Sequence, residues 1–322
     1  MLSHSDRDVK GWLNALVAFG WWGFVFPSLL LLLKSVTDAS VNSTMRWSLE
    51  ILLFRILYCL LFCLGVLIVV KRIPDLLAVF RSRVQMFWFA ISAMLIFLNW
   101  TGFVYGATSG RLSQTSLGYY MGPLINIALG YLFLSEKLSR TQLFSVILAA
   151  LGVLWLTFIQ GEFPWIAMVL AISFSFYGLV RKRLSVDSIV GMTVESFYCL
   201  PVAIGCFIYF FLHDDGVHAL EAGWKVNLLL VLVGPATAIP LISFAIAARR
   251  LRLGTLGFIQ FIAPTGQLLL AMFVDGETIP AKKFIGYLFV WVAVVLYLVD
   301  LWRTAPVDEQ IATNAATAAE NQ

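Results

Sequence analysis

Two ionisable side chains, Arg55 and Glu195, stand inside long apolar segments and are the residues of this chain best placed to do chemistry. An ionised group at the centre of a membrane helix costs about 2.5–3.5 kcal/mol on insertion scales, so it usually faces a cavity or a partner. The two residues fall at equivalent places in two similar segments, one in each half of the chain. They therefore predict polar chemistry within a membrane, either as an ion pair or as part of a binding site.

Three interpretations of Glu195 stay open at the level of the sequence. Glu195 forms a static ion pair with Arg55, or it binds a cationic or amphipathic solute, or it carries protons. Since an α-helix rises 1.5 Å per residue, the two backbones would differ in membrane depth by about 10 Å. A long arginine side chain and helix tilt would bridge that gap in one conformation and not in another.

Pro123 and Pro264 form a second pair of equivalent positions, near the middle of two further apolar segments. A proline inside a helix cannot donate to the carbonyl four residues earlier, here that of Tyr119 or Gln260. In hydrocarbon a freed carbonyl needs a partner or must face a water-filled cavity. The prolines predict either kinks that only shape packing or two symmetry-related hinges beside a cavity at the membrane midplane.

Polar side chains near the prolines extend this prediction. Asn126 and Gln267 lie three residues beyond the two prolines, on nearly the same helix face, which favours a shared polar path. Most aromatic residues of a membrane protein pack or anchor at the interface, so only a minority should contact a ligand. The candidate residues for substrate binding or coupling are Arg55, Glu195, Asn99, Trp100, Tyr119, Tyr120, Asn126, Gln260, Phe261 and Gln267.

The elements that must position these residues are membrane helices. The 322-residue chain is 61% apolar and only 12% charged, about half the charge of a soluble domain. A helix needs roughly 20 apolar residues to cross about 30 Å of hydrocarbon. The sequence predicts ten such spans, at 12–33, 47–70, 84–107, 112–134, 141–159, 164–181, 189–212, 226–248, 255–274 and 281–302.

The second half of the chain repeats the first. Several residues recur at one constant spacing, as in the pairs Arg111 and Arg252, Pro123 and Pro264, and Glu136 and Glu277. Five spans in each copy oblige the second copy to enter the membrane upside down, an architecture that recurs in secondary transporters. The predicted fold class is therefore all-α and integral to the membrane, with two inverted five-helix repeats at 11–160 and 161–302. Residues 303–322 lack apolar periodicity and predict a disordered cytoplasmic tail.

The basic residues predict the orientation of the chain. With the N-terminus inside, 15 of the 22 Lys and Arg residues fall on the inner side and six on the outer side. The positive-inside rule expects this bias when both termini are cytoplasmic. The net charge of +4 is therefore a topology signal, and it gives no support for a nucleic-acid partner.

Other chemistries have weak support in the sequence. The four cysteines all lie in predicted spans, so packing is their expected role. His213, Asp214, Asp215 and His218 are better interpreted as a solvated loop than as a metal site. The sequence contains no glycine-rich phosphate loop. We therefore expect no enzyme, no ATP-driven pump and no cofactor.

Three stretches carry a resemblance to a known family: SLGYYMGPLINIALGYLFLSEKLSRTQ at 116–142, FSFYGLVRK at 174–182 and RLRLGTLGFIQFIAPT at 250–265. Together with the placement of Arg55, Asn99-Trp100 and the GMTVE segment that ends at Glu195, they resemble the RarD branch of the EamA family, in the drug/metabolite transporter superfamily. The resemblance runs from about residue 11 to 302. It implies a ten-helix inner-membrane permease of two EamA repeats, and it supplies the class of protein rather than the ligand.

The expected function is secondary transport across the bacterial inner membrane. The chain would move a small metabolite or a drug-like amphipathic solute by alternating access, with proton-coupled efflux as one form of it. A channel, or a membrane-embedded scaffold or sensor without carrier activity, is the alternative. The expected partners are a small-molecule solute and the lipid bilayer, and the oligomeric state is left open.

Overall fold

The computed structural model describes residues 4–37, 45–108, 111–161, 163–213, 217–273 and 280–320. In these ranges ten helical segments are long and apolar enough to cross a membrane, which confirms the predicted all-α membrane fold. Numbered as spans 1 to 10, they are Val9–Leu33, Leu49–Val69, Arg83–Gly106, Gln114–Leu134, Arg140–Gln160, Trp165–Arg183, Ser188–Leu212, Trp224–Arg250, Leu253–Leu270 and Ala281–Arg303.

The individual helices extend a few residues beyond the spans or divide them. In chain order they are His4–Gly20, the π-helical turn Trp21–Val25, Phe26–Val36, Met45–Val69, Ile73–Arg81, Arg83–Thr108, Leu112–Leu134, Arg140–Gln160, Trp165–Arg183, Ser188–His213, His218–Glu221, Trp224–Arg250, Leu253–Gln260, Ile262–Phe273 and Ala281–Glu320. Helices dominate because every backbone N–H and C=O group in hydrocarbon must be bonded within its own segment. Large apolar side chains such as Leu132, Phe144 and Phe158 are exposed on the outside of the bundle, as expected for a surface that faces lipid.

The last helix is longer than its membrane span. It runs from Ala281 to Glu320, whereas the span ends at Arg303. The segment 312–319 is rich in alanine, the residue with the strongest intrinsic helix propensity.

The two predicted repeats interdigitate rather than pack as separate bodies. Span 6 packs against spans 3 and 4, and span 1 packs against spans 8 and 9. The first helix of each repeat therefore packs against helices of the other repeat. Span 5 packs against span 10, and span 2 against spans 7 and 8. Because most of these contacts join the two repeats, the core belongs to both.

Two glycines mark places where helix backbones of different repeats approach closely. A Cβ atom at Gly234 of span 8 would lie 2.5 Å from the backbone carbonyl carbon of Tyr58 in span 2. A Cβ atom at Gly118 of span 4 would lie 3.0 Å from the carbonyl oxygen of Ala167 in span 6. Small residues at helix interfaces allow this approach, which strengthens packing where lipid offers no hydrophobic driving force.

An even number of spans places both ends of the chain on one side of the membrane, here named the terminal side. The opposite side is named the distal side. Spans 4 and 5 meet on the terminal side around residues 135–139, and spans 5 and 6 meet on the distal side around Gly161 and Pro164.

Candidate functional site

A cavity of about 540 Å³ lies between the helices, in the distal half of the membrane domain. Its volume falls in the range of about 300–1,000 Å³ that is usual for small-molecule sites. Residues from every span except span 7 line it. It reaches the distal ends of spans 4, 5 and 10 at Ser116, Gln160 and Lys283, and its deepest part lies near Gly122 and Gln260.

Nine aromatic residues line the cavity. They come from spans 1, 3, 4, 6 and 10, so that rings face the cavity from several directions. Rings of this kind supply apolar area, and the faces of two of them contact the cation of Arg55. The aromatic residues that line the cavity are Phe19, Trp22, Phe26, Trp100, Phe103, Tyr119, Tyr120, Phe174 and Tyr287.

Arg55 enters this aromatic cavity from span 2. Its guanidinium carbon lies 4.4 Å from the ring centre of Trp100 and 5.0 Å from that of Phe26. Its Nε atom is buried without a hydrogen-bond partner. Cation–π contacts of this kind stabilise a guanidinium by about 0.5–2 kcal/mol. Within the part of the chain that the structure describes, no carboxylate forms a salt bridge with Arg55.

Two of the predicted amides hold helices together at the cavity wall. Asn99 Nδ2 donates to the carbonyl of Leu170 at 2.9 Å and to Ser173 Oγ at 3.3 Å, which joins span 3 to span 6. Gln267 Nε2 donates to the carbonyl of Trp22 at 3.1 Å, which joins span 9 to the π-helical turn of span 1. Both amides line the cavity, yet their donors are already used by the protein.

A third amide pair joins the two spans that carry the prolines. Asn126 Nδ2 of span 4 donates to Gln260 Oε1 of span 9 at 2.8 Å. Gln260 lines the cavity, whereas Asn126 lies behind the wall and is fully buried. Gly122 provides the space for this contact, because a Cβ there would lie 3.0 Å from Gln260 Nε2. The pair therefore closes the deepest part of the cavity by linking the repeats.

The prolines behave differently in the two repeats. Span 9 is divided at Phe261 into two helices, because Pro264 has no N–H for the carbonyl of Gln260 and the N–H of Phe261 bonds to Phe258 instead. Span 4 continues as one helix through Pro123. Of the two prolines, only Pro264 therefore lies beside a break between helices, and the predicted pair of equivalent kinks stays a prediction. Pro264 lines the cavity, and neither Pro123 nor Phe261 does.

Glu195 is buried outside this cavity, in a polar cluster of its own. Its carboxylate accepts hydrogen bonds from Ser92 Oγ at 2.5 Å and from the Tyr177 hydroxyl at 3.2 Å. Arg181 Nη1 lies 3.5 Å from Glu195 Oε1, and both side chains are almost completely buried. Glu195 therefore pairs with Arg181, and the structure does not contain the ion pair with Arg55 that was one of the interpretations of the sequence.

Packed aromatic rings separate the cavity from the Glu195 cluster. Phe244 of span 8 stacks on Tyr177, with ring centres 6.0 Å apart, and lies 4.9 Å from Phe174. Trp22 contacts the same two phenylalanines from span 1, at 5.4 Å and 6.1 Å. Tyr177 donates to Glu195 below these rings, while Phe174 and Trp22 line the cavity above them. The two polar sites are thus distinct and connected by one ring cluster.

Hydrogen bonds join the two predicted repeats on the terminal side. Both carboxylate oxygens of Glu136, just after span 4, accept backbone N–H groups at the start of span 9, from Leu253 at 2.6 Å and from Gly254 at 2.9 Å. A carboxylate at a helix N-terminus satisfies unpaired N–H groups and interacts favourably with the helix dipole. The equivalent Glu277 lies outside the described residues.

Two further contacts join the predicted repeats on the terminal side. Arg183 donates to the carbonyl of Phe133 at 2.9 Å, which joins the ends of spans 6 and 4. Arg72, between spans 2 and 3, lies 2.6 Å from Asp187, between spans 6 and 7. The hydrogen bond with Asp75 and the charge of Asp187 raise the pKa of Arg72 above its ordinary value. Arg72 and Arg183 belong to the basic residues that predict the topology, and they also join the two predicted repeats.

The structure brings most of the predicted site residues together at the cavity and leaves others outside it. Those that line it are Arg55, Asn99, Trp100, Tyr119, Tyr120, Gln260, Gln267 and the hinge candidate Pro264. Those that do not are Glu195, Asn126, Phe261 and Pro123. The predicted list lacked Gln160, Lys283 and Tyr287 at the distal end of the cavity, and Ser92 and Arg181 beside Glu195. Of the suggested loop cluster, Asp214 and Asp215 lie outside the described residues.

Ten spans around a cavity of small-molecule size fit a membrane transporter. RarD of Escherichia coli (strain K12) is 38% identical to the chain over 293 residues, 90% of this chain and 94% of that protein. A protein of Pseudomonas aeruginosa described as an uncharacterized transporter is 36% identical over 298 residues, 92% of this chain and 95% of that protein. The chain is therefore a multi-pass bacterial membrane transporter. It belongs to the RarD branch of the EamA family, in the drug/metabolite transporter superfamily.

The fold also has a counterpart among solved structures. One crystal structure superposes with a TM-score of 0.64 at 17% sequence identity, over 94% of this chain and 99% of that one. At this identity the likeness concerns the fold alone. No model of a protein family matches the chain.

Proposed function

We propose that the chain is a secondary transporter of the bacterial inner membrane that moves a small amphipathic solute by alternating access. The main observation in support of the proposal is a cavity that differs between the distal and the terminal side. It reaches the distal ends of spans 4, 5 and 10, whereas contacts between the repeats close the terminal side. A carrier in one of its two end states has this arrangement.

The basic residues support an assignment of that state. In the proposed orientation both termini lie in the cytoplasm, as the positive-inside rule favours. The distal cavity then opens toward the periplasm, and the state is outward-facing. Glu136, Arg72 and Arg183 belong in this proposal to a cytoplasmic seal that must open before a solute can pass.

Equivalent contacts in the two halves support the inverted repeat on which alternating access depends. Spans 2 and 7 align through Tyr58 and Tyr198, which makes Arg55 equivalent to Glu195. Spans 1 and 6 align through Trp22 and Tyr177, which makes Phe26 equivalent to Arg181. The ring of Phe26 contacts Arg55, and Arg181 contacts Glu195. The same two positions thus meet in both halves, although the side chains differ.

A reversible lock of the terminal side tests the proposal. Glu136 and Gly254 are replaced by cysteine in a background that lacks the native Cys59, Cys63, Cys199 and Cys206. Proteoliposomes are loaded with a small-metabolite extract of the source cells, and mass spectrometry measures which metabolites exchange with a labelled outside pool. We expect saturable exchange that a bifunctional thiol reagent abolishes and a reductant restores, because locking one side prevents alternation. The two single-cysteine variants are the matched controls.

The same experiment separates a carrier from the alternatives. A channel would pass solute down its gradient without saturation and without stimulation by solute on the opposite side. A scaffold or sensor would exchange nothing above protein-free liposomes. Either result, or exchange that continues in the cross-linked protein, would contradict alternating access.

A further inference from the structure

We infer that the distal cavity binds amphipathic organic anions: molecules with one carboxylate or similar group, an apolar or aromatic body and no compensating positive charge. The inference deepens the proposed transport function and rests on it for its physiological meaning. The binding preference can be measured without transport.

The charged residues that line the cavity favour an anionic solute. Arg55 and Lys283 are the ionised side chains that line it, and both are cations. Among the lining residues that the structure describes, none is Asp or Glu. In a low-dielectric site opposite charges attract more strongly than in water. A solute that brings a negative charge therefore gains from both cations, and a cationic solute is repelled.

Two arginines inside the helix bundle differ in whether the protein supplies a counter-charge. Arg181 has a protein counter-charge in Glu195 at 3.5 Å and also donates to the carbonyl of Ser188 at 3.2 Å. Arg55 contacts the faces of Trp100 and Phe26. Aromatic faces hold a guanidinium in place while they leave its N–H edge available, and that edge matches a carboxylate in bidentate geometry. Arg55 is thus fixed in position by the protein, and its charge is left for a ligand to neutralise.

Two buried hydrogen-bond donors beside the cavity also favour an anion. Arg55 Nε and Gln160 Nε2 are buried and have no hydrogen-bond partner in the protein, and both residues line the cavity. These two nitrogen groups can only donate. Buried donors without acceptors are costly, and an acceptor supplied by a ligand removes that cost. The two groups therefore favour a solute rich in acceptors, as a carboxylate is.

The remaining wall selects the body of the solute and disfavours zwitterions. Trp22, Phe103 and Phe174 offer flat apolar surface for an aromatic or branched aliphatic group. The ammonium of an amino acid would meet two cations there and no carboxylate of a described lining residue. Glu195 cannot serve that purpose in this state, because it lies outside the cavity and is paired with Arg181. The site therefore suits a plain organic acid better than an amino acid.

Matched probes test the charge preference directly. Purified wild-type protein in mild detergent at pH 7.5 is titrated by calorimetry with phenylacetate, 3-phenylpropionate, indole-3-acetate and octanoate, each beside its primary amide. Phenylalanine and phenethylamine supply the zwitterion and the cation. We expect at least one carboxylate to bind about tenfold to a hundredfold more tightly than its amide, as charge-assisted hydrogen bonds imply. The zwitterion and the cation should bind more weakly than the amide.

Variants of Arg55 test whether this residue causes the preference for a carboxylate over its amide. In Arg55→Gln the ratio between carboxylate and amide should fall to about one, and Arg55→Lys should keep part of it because the charge remains. Arg83→Gln, at an exposed arginine on the terminal side, is the matched control and should keep the wild-type ratio. If Arg55→Gln does not fold, the ratios of carboxylate to amide affinity in the wild type and in Arg55→Lys still test the inference.

Two results would overturn the inference: a panel in which no carboxylate binds more tightly than its amide, or an Arg55→Gln protein that keeps the wild-type ratio. The proposed function fails separately. Arg55-dependent binding without exchange in proteoliposomes would refute transport and leave the anion site standing. Saturable exchange of neutral or cationic solutes alone would refute the anion site and leave transport standing.

Discussion

Replacement of Glu195 by glutamine should destabilise the protein by about 3 kcal/mol, because it removes one member of a buried ion pair. Breaking such a pair costs about 3–5 kcal/mol, since the remaining charge has no compensation. Arg181 stays protonated in any protein environment and would then be left as an unpaired charge that is almost completely buried. Glutamine keeps the shape and can still accept from Ser92, so we place the expected loss at the lower end of the range.

A double-mutant cycle isolates the ion pair from its neighbours. Arg181→Gln alone should cost a similar amount, about 2–3 kcal/mol, because Ser92 and Tyr177 still donate to the carboxylate. The Glu195→Gln/Arg181→Gln protein should lose clearly less than the sum of the two single variants. We expect a coupling energy of about 2–3 kcal/mol, a size that residues in direct contact show.

A glycine beside the pair offers an independent perturbation that keeps both charges. A Cβ at Gly191 would collide with the guanidinium of Arg181, so Gly191→Ala should push Arg181 away from Glu195. Gly205→Ala in the same span adds a methyl group where nothing lies within 4 Å and is the matched control. We expect Gly191→Ala to resemble Glu195→Gln in its loss of stability and Gly205→Ala to resemble the wild type.

The measurement is unfolding of the purified protein in mixed micelles as the mole fraction of SDS rises, followed by far-UV circular dichroism. Free energies of unfolding are compared at one common SDS fraction near the midpoints, which avoids long extrapolation. A substitution that breaks no specific interaction usually changes stability by no more than about 0.5 kcal/mol. If Glu195→Gln stays within that margin of the wild type, Glu195 carries no charge in this state. The ion-pair reasoning would then be wrong, and the proton-carrier interpretation would gain support.

The remaining predictions concern the seal, the packing and the topology. Glu136→Gln should open the terminal side more often, since hydrogen bonds to a charged group contribute about 1.5–3 kcal/mol. A cysteine introduced at Ile127 should then react with a thiol reagent about tenfold faster or more. An unchanged labelling rate would exclude Glu136 from the seal. Gly234→Ala should destabilise the protein by about 1–3 kcal/mol because the new methyl group meets the backbone of Tyr58, and Gly205→Ala is again the control for SDS unfolding. Fluorescent-protein and alkaline-phosphatase fusions at the C-terminus should report the cytoplasm, and phosphatase activity there would reverse the orientation.

The number of spans could be predicted from the sequence because the bilayer imposes a simple rule of length and apolarity. The order of the spans and their approximate ends follow from that rule alone. Cavity residues around Tyr119, Gln260 and Gln267 were also within reach, because a mid-helix proline in hydrocarbon draws attention to its neighbours. The same rule says nothing about whether a proline bends a helix or interrupts it, so the different behaviour of Pro123 and Pro264 was missed.

The partner of Glu195 could not be found from spacing along the chain. Arg181 belongs to the basic run Arg181-Lys182-Arg183 at the end of span 6, and such a run is the ordinary signal of a cytoplasmic loop. Only the rotation of span 6 about its own axis turns Arg181 toward span 7 while Arg183 turns outward. That rotation is set by packing against spans 3 and 4, which a sequence without contacts does not contain.

The proposed inverted repeat would give the unlike pair at equivalent positions a common meaning. Under the proposed mechanism each half takes on the conformation of the other when the carrier reverses, so the contact between Phe26 and Arg55 and the contact between Arg181 and Glu195 should exchange their surroundings. In the reversed state Arg55 would be enclosed, and the Arg181–Glu195 pair would face a cavity that opens to the terminal side. An anion released from Arg55 would then meet Arg181, whose charge is already paired with the carboxylate of Glu195. Because Glu195 would compete with the anion for Arg181, the proposed asymmetry would favour release on the terminal side.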